Sequence, residues 1–100
     1  MPTLPVPGGK FPLGQMVMTA GVNARCAEDS KFSAFVLQCI GRHARGDWGN
    51  LSDEDKKENE FSLGKHLRLL SAYEVEELPK VWVITEADRS VTTVLFPEEY

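Results

Sequence analysis

The sequence predicts a small α+β domain: a short N-terminal strand, two or three helices, then a three-stranded antiparallel β-meander with the helices packed on one sheet face. Three observations predict it. Apolar residues recur at helical spacing between positions 31 and 43. The period then shortens to two after position 66, and turn-forming residues divide positions 67–96 into three β-branched, aromatic-rich runs. One hundred residues, 42% hydrophobic and 26% charged, have the size and balance of one ordinary globular domain.

Taken in order, positions 1–10 hold Pro2, Pro5, Pro7, Gly8 and Gly9, which resist helix and central strand alike. They read as a flexible tail ahead of a single domain over 11–100. Met16, Val17 and Met18, between Gly14 and Gly21, give one short strand over 15–19. Asn23 is an N-cap candidate for a helical turn over 24–28, and Ser30 for the helix that follows. There Phe32, Phe35, Val36, Cys39 and Ile40 fall at i, i+3, i+4, i+7 and i+8, one apolar stripe. Gly46 stops that helix.

In the turn Asp47-Trp48-Gly49-Asn50 the indole is expected to plug the core from a loop. Ser52 opens a third helix, whose first turn (Asp53, Glu54, Asp55) suits the positive end of the helix dipole. Phe61 and Leu63 are expected to anchor it and Gly64 to end it.

The meander follows as strands over 67–75, 81–85 and 91–96, with a turn at Ala87-Asp88-Arg89-Ser90 and a stop at Pro97. In its middle strand Val81 and Val83 face one way, Trp82 and Ile84 the other. A sheet with one wet side shows polar residues there, and this strand is apolar on both. The helices cover one face. The other is left half exposed at Trp82, or is covered by the N-terminal strand and loops, a second copy of the chain, or a partner protein.

The blocks FPLGQ at 11–15, GDWGNL at 46–51, LLSAY at 69–73 and VITEADRSVTTVLFPEEY at 83–100 resemble a family of small bacterial proteins often labelled "plasmid-related". The resemblance spans nearly the whole chain after position 10, with a more individual stretch over 24–42. It implies a bacterial, cytosolic, mobile-element setting and brings no established activity with it.

The net charge of −4 argues against sequence-independent nucleic-acid binding, which needs a basic face. Acidic residues gather at Asp53, Glu54, Asp55, Glu58 and Glu60, and again at Glu98 and Glu99, a surface suited to a basic partner groove. Two cysteines, Cys26 and Cys39, are too few for a disulfide framework. No secretory signal or membrane-length apolar run is present, so the expected compartment is the cytoplasm. No cofactor is implied.

Four constellations bear on chemistry. Cys39 and His43 lie at i and i+4, with Cys26 and His66 as further ligands, but without paired zinc spacing; a core cysteine is the simpler reading, and no metal is expected. Glu86, Asp88, Arg89, Thr92 and Thr93 cluster at the last hairpin. With Trp48 and Trp82, the first four of these are the candidate binding residues. Structurally, Asp88 suffices to cap that turn, and Arg89 to pair with Glu86 or Asp88 at the surface.

His43, Arg68, Glu86 and Arg89 are the residue types of a ribonuclease: acid, base and phosphate-binding cations. Helices followed by a meander match barnase- and RelE-type architecture by analogy alone. Finally, Arg42-His43-Ala44-Arg45 puts cations at a helix end, where they complement the dipole. The function expected is that of a non-catalytic accessory protein of a mobile element, acting by protein contact on a host defence system, toxin or nuclease. The alternative is a small ribonuclease-like enzyme.

Overall fold

The computed structural model describes residues 8–100; most of the expected tail lies outside the described residues. The elements are β1 (Gln15–Met18), α1 (Ala20–Glu28), α2 (Ser30–Ala44), α3 (Asp53–Lys65), β2 (Leu69–Tyr73), β3 (Val81–Thr85) and β4 (Val91–Leu95), closed by a 3₁₀ turn over Pro97–Glu99. The α+β class and the order of elements are those the sequence predicts.

The meander pairs antiparallel, with Leu69 opposite Thr85, Tyr73 opposite Val81, and Trp82 opposite Leu95. The N-terminal strand extends this sheet instead of covering it. β1 runs parallel to β4, Gln15 level with Val91 and Met18 with Val94, so the sheet is mixed, in the order β1-β4-β3-β2. Gln15 N–H donates to the Ser90 carbonyl at 2.9 Å and Thr19 N–H to that of Val94 at 3.1 Å. Gly14, at φ +67, admits this approach, because a Cβ there would strike the Arg89 and Ser90 backbone.

Strand alternation then sorts the side chains. Tyr73, Val81, Val83 and Val94 form an inner face beneath α1 and α2, against Val22, Phe32, Phe35, Val36 and Cys39. Full burial of each large apolar side chain stabilises the fold by about 1.5–3 kcal/mol.

Helix starts follow the best available acceptor. α1 begins at Ala20, ahead of the predicted turn, because the Thr19 hydroxyl accepts from Val22 N–H. α2 is capped by Asp29 in place of Ser30: one carboxylate oxygen accepts from both Lys31 and Phe32 N–H. Ser52 caps α3. That helix runs through Gly64 and stops with His66 in the left-handed conformation, φ 56.

Phe61 does not anchor α3; it is 59% exposed, and Asn59 and Ser62 are buried instead. The reason lies in what α3 meets, which is the polar edge of β2. The Asn59 amide donates to the Leu70 carbonyl and accepts from Leu70 N–H, as a strand would.

Further along the same edge, Ala72 N–H donates to Trp48 O and Asn50 N–H to Ala72 O, while the Asn50 side chain accepts from Glu74 N–H. Gly49, at φ +75, forms an isolated parallel bridge with Ala72, and a Cβ at that position would meet the Ala72 carbonyl. The β2 edge is thereby sealed over three alternate residues.

Candidate functional site

The sequence-predicted residues fall into two groups on opposite faces of the sheet. Inside, α2 carries His43 to the inner face, where it is wholly buried. Its Nδ1 meets the Ser71 hydroxyl and its Nε2 lies 2.9 Å from Thr85 Oγ1. Thr85 Oγ1 lies 2.7 Å from Thr92 Oγ1, which donates to the Leu13 carbonyl at 2.7 Å.

A hydroxyl has one proton. Thr92 spends its own on Leu13 and accepts from Thr85; Thr85 must then accept from His43. The chain fixes the neutral tautomer with the proton on Nε2 and the Ser71 hydroxyl donating to Nδ1. Burial, helped by the Arg89 charge, pushes the His43 pKa down to about 3.

Aromatic rings close this cluster. Phe11 lies edge-on to His43 at 5.3 Å and stacks on Trp48 at 6.2 Å. The Trp48 ring is buried, as predicted for the plug, and its Nε1 donates to Glu60 of α3 at 2.6 Å. Arg89 is also buried, over the Phe11 ring. It forms no surface pair with Glu86 or Asp88. Its guanidinium donates to the carbonyls of Leu67 at 2.6 Å, Glu86 at 3.1 Å, Ala87 at 3.3 Å and Ser62 at 3.3 Å.

A left-handed backbone, φ 61, holds Arg89 at the end of the hairpin turn, where it caps the carbonyl end of α3. Asp88 does cap that turn, accepting from Ser90 N–H and Oγ, and those bonds hold its carboxyl below the usual range.

The outer face carries the other group. Trp82 is partly exposed, and Tyr100 stands edge-on to it at 5.5 Å. The Arg68 guanidinium lies over the Tyr100 ring and donates to its hydroxyl at 2.8 Å. Arg68 also pairs with Glu86 at 3.6 Å, and Lys80 with Glu74 at 3.9 Å. Beside Arg68 and Leu70 a groove of about 270 Å³ opens toward α3, lined also by Leu51, Asp55, Glu58, Asn59 and Ser62.

Trp82, Glu86 and Arg68 thus belong to the outer face. Trp48, Arg89, Thr92 and His43 belong to the interior, and Asp88 to the turn. The four ribonuclease-type residues divide between the faces, Arg68 with Glu86 outside and His43 with Arg89 inside, and both His43 nitrogens are hydrogen-bonded, leaving none free as base or metal ligand. Burial pushes the Cys39 thiol up to about 12. Among the described residues no three His, Cys, Asp or Glu side chains are grouped to hold a metal, and both cysteines are free thiols.

In the basic segment, Arg42 holds Asp47 at 2.7 Å and lies over the Tyr73 ring. Tyr100, Ser71 and Thr85 escape sequence reasoning because their roles depend on pairings remote in sequence.

Among the described residues no helix is long and apolar enough to cross a membrane. No family model matches the chain, and no curated protein or solved structure does either.

Proposed function

We propose that the protein is a non-catalytic accessory protein that docks its outer sheet face into a basic groove of a partner protein. One observation carries the reading. An apolar face carrying Trp82 and Leu70, with a Tyr100 that is itself 66% exposed standing edge-on to Trp82, is bordered by the carboxylates of Asp55 and Glu58 and by the ion pairs Arg68–Glu86 and Lys80–Glu74. Apolar centre and charged rim are the anatomy of a protein interface, and aromatic anchors supply most of the binding energy in such contacts. The Asp55 and Glu58 carboxylates, in keeping with the net charge of −4, favour a basic partner.

The family resemblance adds a setting: a bacterial mobile element acting in the cytoplasm on a nuclease, toxin or defence component. No observation favours the ribonuclease alternative, which requires a titrating His43 next to Glu86.

The test is affinity purification from the native host with wild type, Trp82→Ala, a combined Asp55→Asn/Glu58→Gln variant and a Leu37→Ala control on α2. The reading requires one basic protein retained by wild type and the control and released by both outer-face variants and by high salt. Retention by the outer-face variants would overturn it.

A further inference from the structure

The two edges of the sheet are finished differently. The β2 edge is closed by Asn59 at Leu70, by Trp48 and Asn50 at Ala72, and by Asn50 at Glu74. Among the described residues no strand pairs with the β1 edge. Gln15 and Thr19 turn their N–H groups toward β4, so alternation turns the backbone groups of Met16 and Met18 away from the sheet. The edge also lacks the devices that blunt such strands. It has no proline or charged residue, and positions 11–24 carry no charge at all.

We propose that this edge is a dimer seam, on which β1 of a second copy pairs antiparallel to make one continuous eight-stranded sheet. Three features select a second copy as the occupant. First, the edge is self-complementary: with Val17 on Val17 of the second copy, Met16 stands opposite Met18 and Met18 opposite Met16. Each facing pair exchanges two N–H···O bonds, four in all, across a two-fold axis.

Second, among the described residues only the β1 edge is open, so pairing there closes at two chains and cannot propagate as a filament. Third, the seam is uncharged in an acidic chain. Glu99, on Thr19 Oγ1, lies at one end, and its counterpart in the second copy lies at the other. Between those ends the strand offers a charged peptide no counter-charge. The inference stands apart from the outer-face reading, because it uses backbone groups at the opposite edge from the groove.

A seam of four backbone hydrogen bonds is small beside a standard interface, so the dimer is reversible and concentration-dependent. Sedimentation equilibrium should show the mass rising from 11.2 kDa toward twice that value by about 1 mM. Met18→Pro removes an outward N–H that β4 does not use; it should weaken association at least tenfold with an unchanged circular dichroism spectrum. Met18→Lys, at a position 41% exposed in the monomer, gives the same reading if the proline variant unfolds.

Val17→Cys, in a Cys26→Ser background, should form an intermolecular disulfide under mild oxidation. Facing residues of a non-hydrogen-bonded pair lie about 4.5 Å apart at Cα, close enough to bridge. A wild type that stays at 11.2 kDa throughout would overturn the proposal. So would a dimer that survives both Met18 variants, or one abolished by Trp82→Arg, which would place the contact on the outer face.

Discussion

Tyr100 stands edge-on to Trp82, ring centroids 5.5 Å apart and planes at 66°, so a residue from the end of the chain shields the middle strand of the sheet. Tyr100→Ala should make Trp82 fluorescence shift to the red and quench more readily with acrylamide, at a stability cost of about 1 kcal/mol. A Trp48→Phe reference variant separates the two indoles. Unchanged quenching of Trp82 would show that the ring gives no cover.

His43 makes stability depend on pH in a direction that can be worked out. Its pKa falls from 6.5 to about 3 on folding, so between those values the unfolded chain binds the extra proton. Stability from this residue is complete above pH 6.5 and declines as the pH falls toward 3, by about 1.4 kcal/mol per unit. Urea midpoints at pH 7, 6, 5 and 4 should fall more steeply for wild type than for His43→Gln. Parallel curves would contradict the buried neutral imidazole.

Arg89 ties the β3–β4 turn to the end of α3 through four carbonyl oxygens, with no carboxylate partner among the described residues. Arg89→Lys is therefore not conservative, because an ammonium lacks the planar fork that reaches these four acceptors. Leaving one buried and three part-buried carbonyls short of a donor costs about 1–3 kcal/mol, and Arg89→Lys should lower Tm by about 10 °C. Glu86→Gln, which loses only the half-exposed pair with Arg68, should shift Tm by about 3 °C or less.

Gly49→Ala places a methyl group against the Ala72 carbonyl and the Tyr73 ring at a left-handed position. The cost should be about 2–4 kcal/mol. Hydrogen exchange of the Ala72 and Glu74 amides should accelerate far more than that of β3, because the strap over the β2 edge lifts first.

How much of this was legible in sequence depended on the range of the interaction. The α2 stripe, the Ser52 cap, the Trp48 plug and the meander are written in local spacing and turn chemistry. The parallel pairing of β1 with β4 is not, because Gln15 and Val91 carry no local sign of each other. Arg89 reads as a surface cation until α3 is placed behind it. The polar face of α3 misleads in the same way: Asn59 is buried because a strand edge, not an apolar core, is its neighbour. His43 looks like chemistry from its residue type, while its role is set by Ser71 and Thr85, on strands far away in sequence. Of the outer face, the doubly apolar middle strand was visible; Tyr100 as its cover was not.

The pairing of β1 with β4 also governs when the fold can close. Gln15 must wait for Val91, 76 positions on, and the Thr19–Glu99 bond spans 80. Contacts of such separation form late and slow the overall rate. On loop-closure cost alone, the helices and the meander are expected to assemble before the first strand docks.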